Sequence, residues 1–268
     1  MNITWWQWAT LAGGAFLVGA TKSGIVGIGI LAIATFALIL PPRESTGVVL
    51  PLLICADAVA VALYRRHAVW PHLVRLVPWA ALGIVAGAGA MKRIDDHAVQ
   101  LFLGAVLLGL TLYQLGQRLR PSSPPKEPPD DVLAAKESPD DVLAAPGHKI
   151  NAGLAAVVGL AAGFTTMLSN AAGPLMVLYL LAMRLPKWEM IGTGAWYFLL
   201  LNLWKVPFSA GLGLINAASL RLDLTLAPFA VAGVLLGRRV IALIPQTAFE
   251  LLALIFTGIA AARLLLVR

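Results

Sequence analysis

The chain has 268 residues, of which 59% are hydrophobic and only 12% are charged, and its mean hydropathy is +0.84. Because soluble domains carry roughly a quarter charged residues, this composition excludes an ordinary soluble protein and indicates a surface that faces lipid. The net charge of +7 fits the cationic cytoplasmic loops of a membrane protein better than a nucleic-acid-binding surface. Cys55 is the only cysteine, so neither a disulfide within the chain nor a thiolate metal cluster is expected.

Long apolar runs recur along the chain and predict five membrane segments in each half. They cover about residues 6–20, 24–40, 46–64, 73–91 and 97–116, and then about 150–166, 170–183, 189–208, 225–242 and 247–266. Trp5, Trp6 and Trp8 open the first run as an interfacial belt would, which favours a membrane segment over a cleaved signal peptide. Residues 118–148 are rich in proline and charge and predict a cytoplasmic linker between repeats at 1–117 and 149–268.

An ordered series of matches indicates that the two halves are duplicated copies. The offset between matched positions rises in steps, as insertions in loops would produce. Gly19, Gly29 and Pro42 match Gly163, Gly173 and Pro186; Glu44, Gly47 and Asp57 match Glu189, Gly192 and Asn202; Pro78, Gly83, Gly87 and Ile94 match Pro228, Gly233, Gly237 and Ile244. An odd number of segments per copy makes the copies inverted, with a binding site where they meet. The predicted fold is therefore an all-α polytopic membrane protein with two inverted repeats.

The first two segments of each copy are short. About 15 residues reach only some 22 Å, against a hydrocarbon core of roughly 30 Å. Two steep spans, a re-entrant hairpin and an ordinary surface turn all fit this pattern, and a single broken span would instead give parallel four-helix copies. With the N-terminus outside, roughly twice as many Lys and Arg residues fall on the inner side as on the outer side, as the positive-inside rule requires.

Lys22 is the first candidate for binding a substrate. It lies between two apolar segments and is flanked by Thr21, Ser23 and Gly24. An ammonium group inside a bilayer is costly, so it usually faces a cavity or a partner. A helix starting near Gly24 would offer free N–H groups and a favourable dipole to an anion, with the two hydroxyls as further donors. In the alternative interpretation, Lys22 snorkels to a loop surface.

The matching turn of the second half is polar but uncharged. Thr165, Thr166, Ser169 and Asn170 precede a predicted helix start, where they either cap the helix or present N–H groups to a ligand. If the two hairpins enter from opposite sides, their tips would surround one anion near the middle of the membrane.

A second lysine within an apolar run, Lys205, follows Asn202 by about one helical turn, and Pro207 is expected to break the helix next to it. Asp57 is the counterpart of Asn202 in the first half. It could pair with Lys22 or Lys205, take up a coupling proton, or form a purely structural salt bridge. No nucleotide-binding, metal-ligand or nucleophile–base signature is present, so no cofactor, metal site or enzymatic activity is expected.

Three stretches carry a resemblance to a known family: Gly19-Ala20-Thr21-Lys22-Ser23-Gly24, the run from Gly163 to Pro174, and Asn202 with Lys205-Val206-Pro207. With them the chain resembles the sulfite exporter (TauE/SafE) family of anion permeases, including those like 4-toluene sulfonate uptake permeases. The resemblance implies a secondary carrier, proton-linked, that moves sulfite, sulfoacetate or other sulfonates outward across the inner membrane. An anion channel or an importer of another sulfur oxyanion is the alternative. The long central insert departs from the family's short loop.

Overall fold

The computed structural model describes residues 4–24, 42–91, 152–170 and 172–266, with isolated positions between 29 and 40 and at 105, 108 and 112. Most of the predicted segments at 24–40 and 97–116, and the whole linker at 118–148, lie outside the described residues. All regular structure in the described ranges is helical. The helices are α1 (Trp5–Lys22), α2 (Pro42–Tyr64), α3 (Trp70–Ala90), α4 (Ala152–Ser169), α5 (Gly173–Ala182), α6 (Lys187–Gly211), α7 (Ala217–Leu243) and α8 (Gln246–Leu266), with a 3₁₀ turn at Arg65–His67.

The first helix of each half is longer than predicted. Both α1 and α4 have 18 residues, about 27 Å at 1.5 Å per residue, because the polar residues expected in the turns continue the helix instead. By contrast, α5 has only ten residues, about 15 Å, too short to cross a bilayer. Among the described residues, the helices long and apolar enough to cross a membrane are Gly47–His67, Trp70–Ala90, Ala152–Ser169 and Ala217–Leu243.

Helix α7 begins eight residues before the predicted segment at 225–242. Its start is fixed by Asn216, whose Oδ1 accepts a hydrogen bond of 2.9 Å from the backbone N–H of Ser219. Ser219 returns the bond, since its Oγ accepts from the backbone N–H of Asn216 at 3.0 Å. This reciprocal cap satisfies the free donors of a helix start. It brings the sequence Leu-Arg-Leu-Asp, which reads as a loop, into the helix.

Each half packs its first helix against a helix of the other half. Helix α1 lies on α7, and α4 lies on α3. A Cβ added to Gly19 would stand 1.8 Å from the carbonyl oxygen of Ala230, and one added to Gly163 would stand 1.9 Å from that of Ala80. Only glycine allows such close backbone approach. Gly163 follows Gly19, and Ala230 follows Ala80, at the offsets found between the duplicated sequences.

Helices α2 and α6 pack against each other and run antiparallel. A Cβ on Gly47, near the start of α2, would lie 2.0 Å from the carbonyl oxygen of Leu214, just past the end of α6. At the other end, a Cβ on Gly192 of α6 would lie 2.8 Å from the carbonyl oxygen of Tyr64. These two helices carry the matched positions Gly47 and Gly192, and they form the frame of the site.

The distribution of apolar and polar side chains is that of a protein in lipid. Large apolar side chains lie outside, with Trp5 82%, Leu224 77% and Leu243 85% exposed. Two charged side chains, Asp57 and Lys205, are fully buried. An apolar surface of this extent would not be stable in water.

Candidate functional site

The centre of the site is a hydrogen bond between equivalent positions of the two halves. Asn202 of α6 donates from Nδ2 to Oδ2 of Asp57 on α2 at 2.7 Å, and both side chains are buried. The two residues are 145 positions apart, which is the offset at which the sequences of the two halves match here. The contact therefore joins two positions that match between the sequences of the two halves.

Lys22, at the C-terminal end of α1, provides the counter-charge for Asp57. Its Nζ lies 2.9 Å from Oδ1 of Asp57, and its side chain is 9% exposed. The same ammonium lies over the ring of Phe198 of α6, 4.4 Å from the ring centre, as in a cation–π contact. Of the pairings that the sequence allowed for Asp57, the structure shows the one with Lys22. Lys22 therefore does not snorkel to a loop surface.

Lys205 is fully buried. Its Nζ donates to the carbonyl oxygen of Thr166 at 2.8 Å and, in a shorter bond, to Oδ1 of Asn170. Both partners lie at the end of α4, where the negative end of the helix dipole favours a cation. Within the described part of the chain, no carboxylate lies within ion-pair distance of Lys205.

The cluster therefore holds more positive than negative charge. Among its described side chains it has two ammonium groups, Lys22 and Lys205, and one carboxylate, Asp57. Burying an uncompensated charge in a medium of low dielectric is costly. An ammonium group has three N–H donors, and Lys205 uses two of them on α4. A small anion placed between the lysines would balance the charge and accept the remaining donors.

The hydroxyl groups predicted to bind the ligand are already engaged. Thr21 donates to the Val18 carbonyl at 2.6 Å and Ser23 to the Ala20 carbonyl at 2.7 Å. Thr165 and Ser169 likewise donate to carbonyls of α4, at 2.8 Å and 3.2 Å. Each hydroxyl has one proton, so it could donate to an anion only after giving up this bond. Thr166 contributes its backbone carbonyl to the site.

The two turns place their residues differently from the prediction. Thr165, Thr166 and Ser169 belong to the last turn of α4 rather than to a loop. They do not cap the next helix, because the N-cap of α5 is Ala172. Gly24 and Asn170 end their helices in left-handed backbone conformations, with φ of 97° and 55°. The helix expected to start after Gly24 lies largely outside the described residues, so its N-terminal anion site stays a prediction.

Phe198 is the site residue that sequence reasoning missed. The signal was present, because Phe198, Asn202 and Lys205 follow one another at helical spacings of four and three residues on α6. A stripe on one face of a membrane helix that holds a lysine and an asparagine predicts that the third member also faces the site.

The family model described as "Sulfite exporter TauE/SafE" matches residues 11–264 of the chain. The match covers nearly the whole sequence, so the chain belongs to this family of membrane transporters, and it is a multi-pass membrane protein. The searches of curated proteins and of solved structures returned no match.

Proposed function

We propose that the protein is a secondary transporter that exports sulfite or an organosulfonate-type anion across the inner membrane by alternating access, with proton linkage. The observation that carries this proposal is the excess positive charge of the buried cluster. Two lysines and one carboxylate meet between the halves of a membrane protein. Buried ionisable groups in a membrane usually mark a substrate or ion pathway.

In this proposal the anion binds between Lys22 and Lys205. The N–H donor that Lys205 does not use on α4 would bind one oxygen of the anion, and Lys22 would bind another while it keeps Asp57 as its counter-ion. A sulfite or sulfonate group presents three oxygens and accepts several charge-assisted hydrogen bonds at once. Asn202 holds the Asp57 carboxylate in place, and Asp57 is also a candidate for the coupling group.

The arrangement of the halves supports inverted repeats and alternating access. Equivalent helices α2 and α6 run antiparallel, and the glycine-mediated contacts of α1 with α7 recur between α4 and α3. A scaffold with two related interfaces can exchange one arrangement for its counterpart around a fixed site. Helix α5 has only ten residues and is too short to cross the membrane, which supports a re-entrant hairpin. The turn of such a hairpin would lie at membrane depth, where non-helical backbone must be surrounded by protein.

Transport by purified protein in proteoliposomes tests the function. We expect saturable uptake and counterflow of labelled sulfite, or of one member of a panel of sulfonates. We further expect Lys22→Ala to lose most of this transport, because it removes the charge excess and leaves Asp57 buried without its counter-ion. Arg66→Gln is the matched control, since Arg66 also carries one positive charge but is exposed.

Three results would count against this assignment. Normal transport of every anion by Lys22→Ala would show that the proposed site is wrong. Flux that follows voltage without counterflow would indicate an anion channel. Flux of another sulfur oxyanion that accumulates inward only would indicate an importer.

A further inference from the structure

Asp223 of α7 is a second carboxyl group within the membrane-spanning part of the protein, and the anion site does not use it. It is 5% exposed. In the part of the chain that the structure describes, neither of its carboxyl oxygens has a hydrogen-bond partner. At the matching position of the first half, 150 residues earlier, stands Leu73, which is also buried. The repeated scaffold therefore accepts an apolar side chain at this position and does not require a carboxyl group.

The surroundings of Asp223 are apolar on both packed sides. Helices α1 and α7 run parallel, because Gly19 approaches Ala230 and Gly237 approaches Ser23. Counting back seven residues from Gly19 and from Ala230 brings Ala12 level with Asp223. The neighbouring stretch of α1, residues 8–12, is apolar apart from one threonine. On α2, Gly47 approaches Leu214, just before α7 begins, and Tyr64 lies against Arg238, near the end of α7. Residues 50–54, between these two contacts, are also apolar.

The charged groups that face α7 lie at other levels of the helix. The described titratable side chains of the two helices that pack on α7 are Lys22 of α1 and Cys55, Asp57 and Tyr64 of α2. Helix α6 contacts α7 through Lys187. Lys22 is about 15 Å from Asp223 along the axis by the register above, and Asp57 is bound to Lys22. Lys187 donates to carbonyls at the opposite end of α7. On α7 itself Arg221 is exposed, and the side chains of Arg43 and Glu44 lie outside the described residues.

We propose that Asp223 is a proton-binding site, which takes up and releases the proton that drives transport. Because no described residue places a cation or a hydrogen-bond donor beside it, the carboxyl group is stable in the closed packing only when it carries a proton. When the α1–α7 interface opens to water, the group can ionise and the proton leaves to solvent. One proton is bound and one is released in each cycle.

Asp57 is less suited to this role. Lys22 occupies one of its oxygens and Asn202 the other. A proton could bind to Asp57 only after the ion pair with Lys22 opens, whereas no cation of the described residues pairs with Asp223. The inference rests on the proposed function and adds the residue that binds the coupling proton.

The test compares Asp223→Asn with the native protein in proteoliposomes that contain an entrapped pH indicator. Two quantities are measured with labelled sulfite and the sulfonate panel: accumulation driven by a pH gradient, and exchange without a gradient. For Asp223→Asn, we expect the ratio of accumulation to exchange to fall roughly tenfold or more, the size of typical coupling between linked ligands. The change in internal pH that accompanies substrate transport should also vanish in Asp223→Asn. Arg221→Gln, on the exposed side of the same helix, should behave as native.

If Asp223→Asn keeps the native ratio of accumulation to exchange, the inference is overturned. An equal loss of accumulation and exchange also overturns it, because such a loss indicates a structural role. A sodium gradient that drives accumulation in place of the pH gradient also overturns it.

If the native protein exchanges none of these anions, the proposed function fails instead. Labelling by a hydrophobic carbodiimide then decides on Asp223, since this reagent modifies protonated carboxyl groups in apolar surroundings. We expect labelling of Asp223 that declines as pH rises and is absent from Asp223→Asn, and an unlabelled native Asp223 overturns the inference.

Discussion

The two halves of the molecule are alike in how their helices pack and unlike in the charges they carry. Backbone contacts at Gly19 and Ala230 in one interface recur at Gly163 and Ala80 in the other. The polar positions do not recur in this way. Lys22 matches Thr166, Asp57 matches Asn202, and Lys205 matches Ala60.

The difference separates two requirements of a carrier. In the proposed mechanism, a repeated scaffold supplies the two related arrangements that alternating access needs. A site for a single anion needs one surplus positive charge, and two identical halves would give an even number of each charge. Lys22 with Asp57 forms a neutral pair from the first half, so the surplus comes from Lys205 of the second half.

Removal of the surplus charge should have the largest effect. We expect Lys205→Met, which keeps the length of the side chain, to cost about 3 kcal/mol of anion binding, or roughly 100-fold in transport at low substrate concentration. Folding should survive, because a buried charge can be replaced by an apolar side chain of similar volume. Sulfite or sulfonate counterflow, together with elution as a single species in detergent, measures both properties.

A second substitution sharpens this prediction. If the surplus charge matters more than its position, Lys205→Met combined with Asp57→Asn should regain part of the transport, since Lys22 then becomes the surplus cation. No recovery in this double variant, with normal folding, would show that Lys205 acts through its position on α4.

Exchange of the two central residues should have a smaller effect. Asp57→Asn alone leaves Lys22 without its counter-ion, and we expect turnover to fall roughly tenfold because the anion is held too tightly. Adding Asn202→Asp returns a carboxylate across a contact of 2.7 Å and should restore turnover to within about threefold. Initial rates of counterflow for the two single variants and the double variant measure the coupling. Additive losses would mean that the two positions are not equivalent.

Much of the scaffold could be predicted from the sequence, because it depends on patterns that are local or repeated. Apolar runs predicted the membrane helices, and glycines that match between the halves, among them Gly83 and Gly233, lie at close helix contacts. The Lys22–Asp57 pair was among the alternatives, since a lysine within a membrane segment requires a counter-charge. Asp57, the counterpart of Asn202, was the carboxylate considered for it.

The rest depended on where helices end and cross. Thr21 and Thr165 resemble turn donors in sequence, but the helix continues through them and their hydroxyls bond to the preceding turn. The bonds from Lys205 to the end of α4 follow from the crossing of two helices that are distant in sequence. Asp223 was missed because the cap at Asn216 starts α7 earlier than the apolar pattern does.

The smallest predicted effect tests whether the scaffold is symmetric where the charges are not. A methyl group at Gly19 or Gly163 would stand less than 2.0 Å from a backbone carbonyl oxygen, 1.8 Å and 1.9 Å respectively. Gly19→Ala and Gly163→Ala should therefore each lower the free energy of unfolding by about 1–3 kcal/mol through overpacking. Gly13→Ala is the control, because a methyl group there has open space around it and alanine favours the helix. Thermal unfolding in detergent measures all three variants. If the two interfaces are packed equally tightly, the two matched glycine variants should lose similar stability and Gly13→Ala should lose none. A loss at only one of the two glycines would mean that the halves differ in packing as well as in charge.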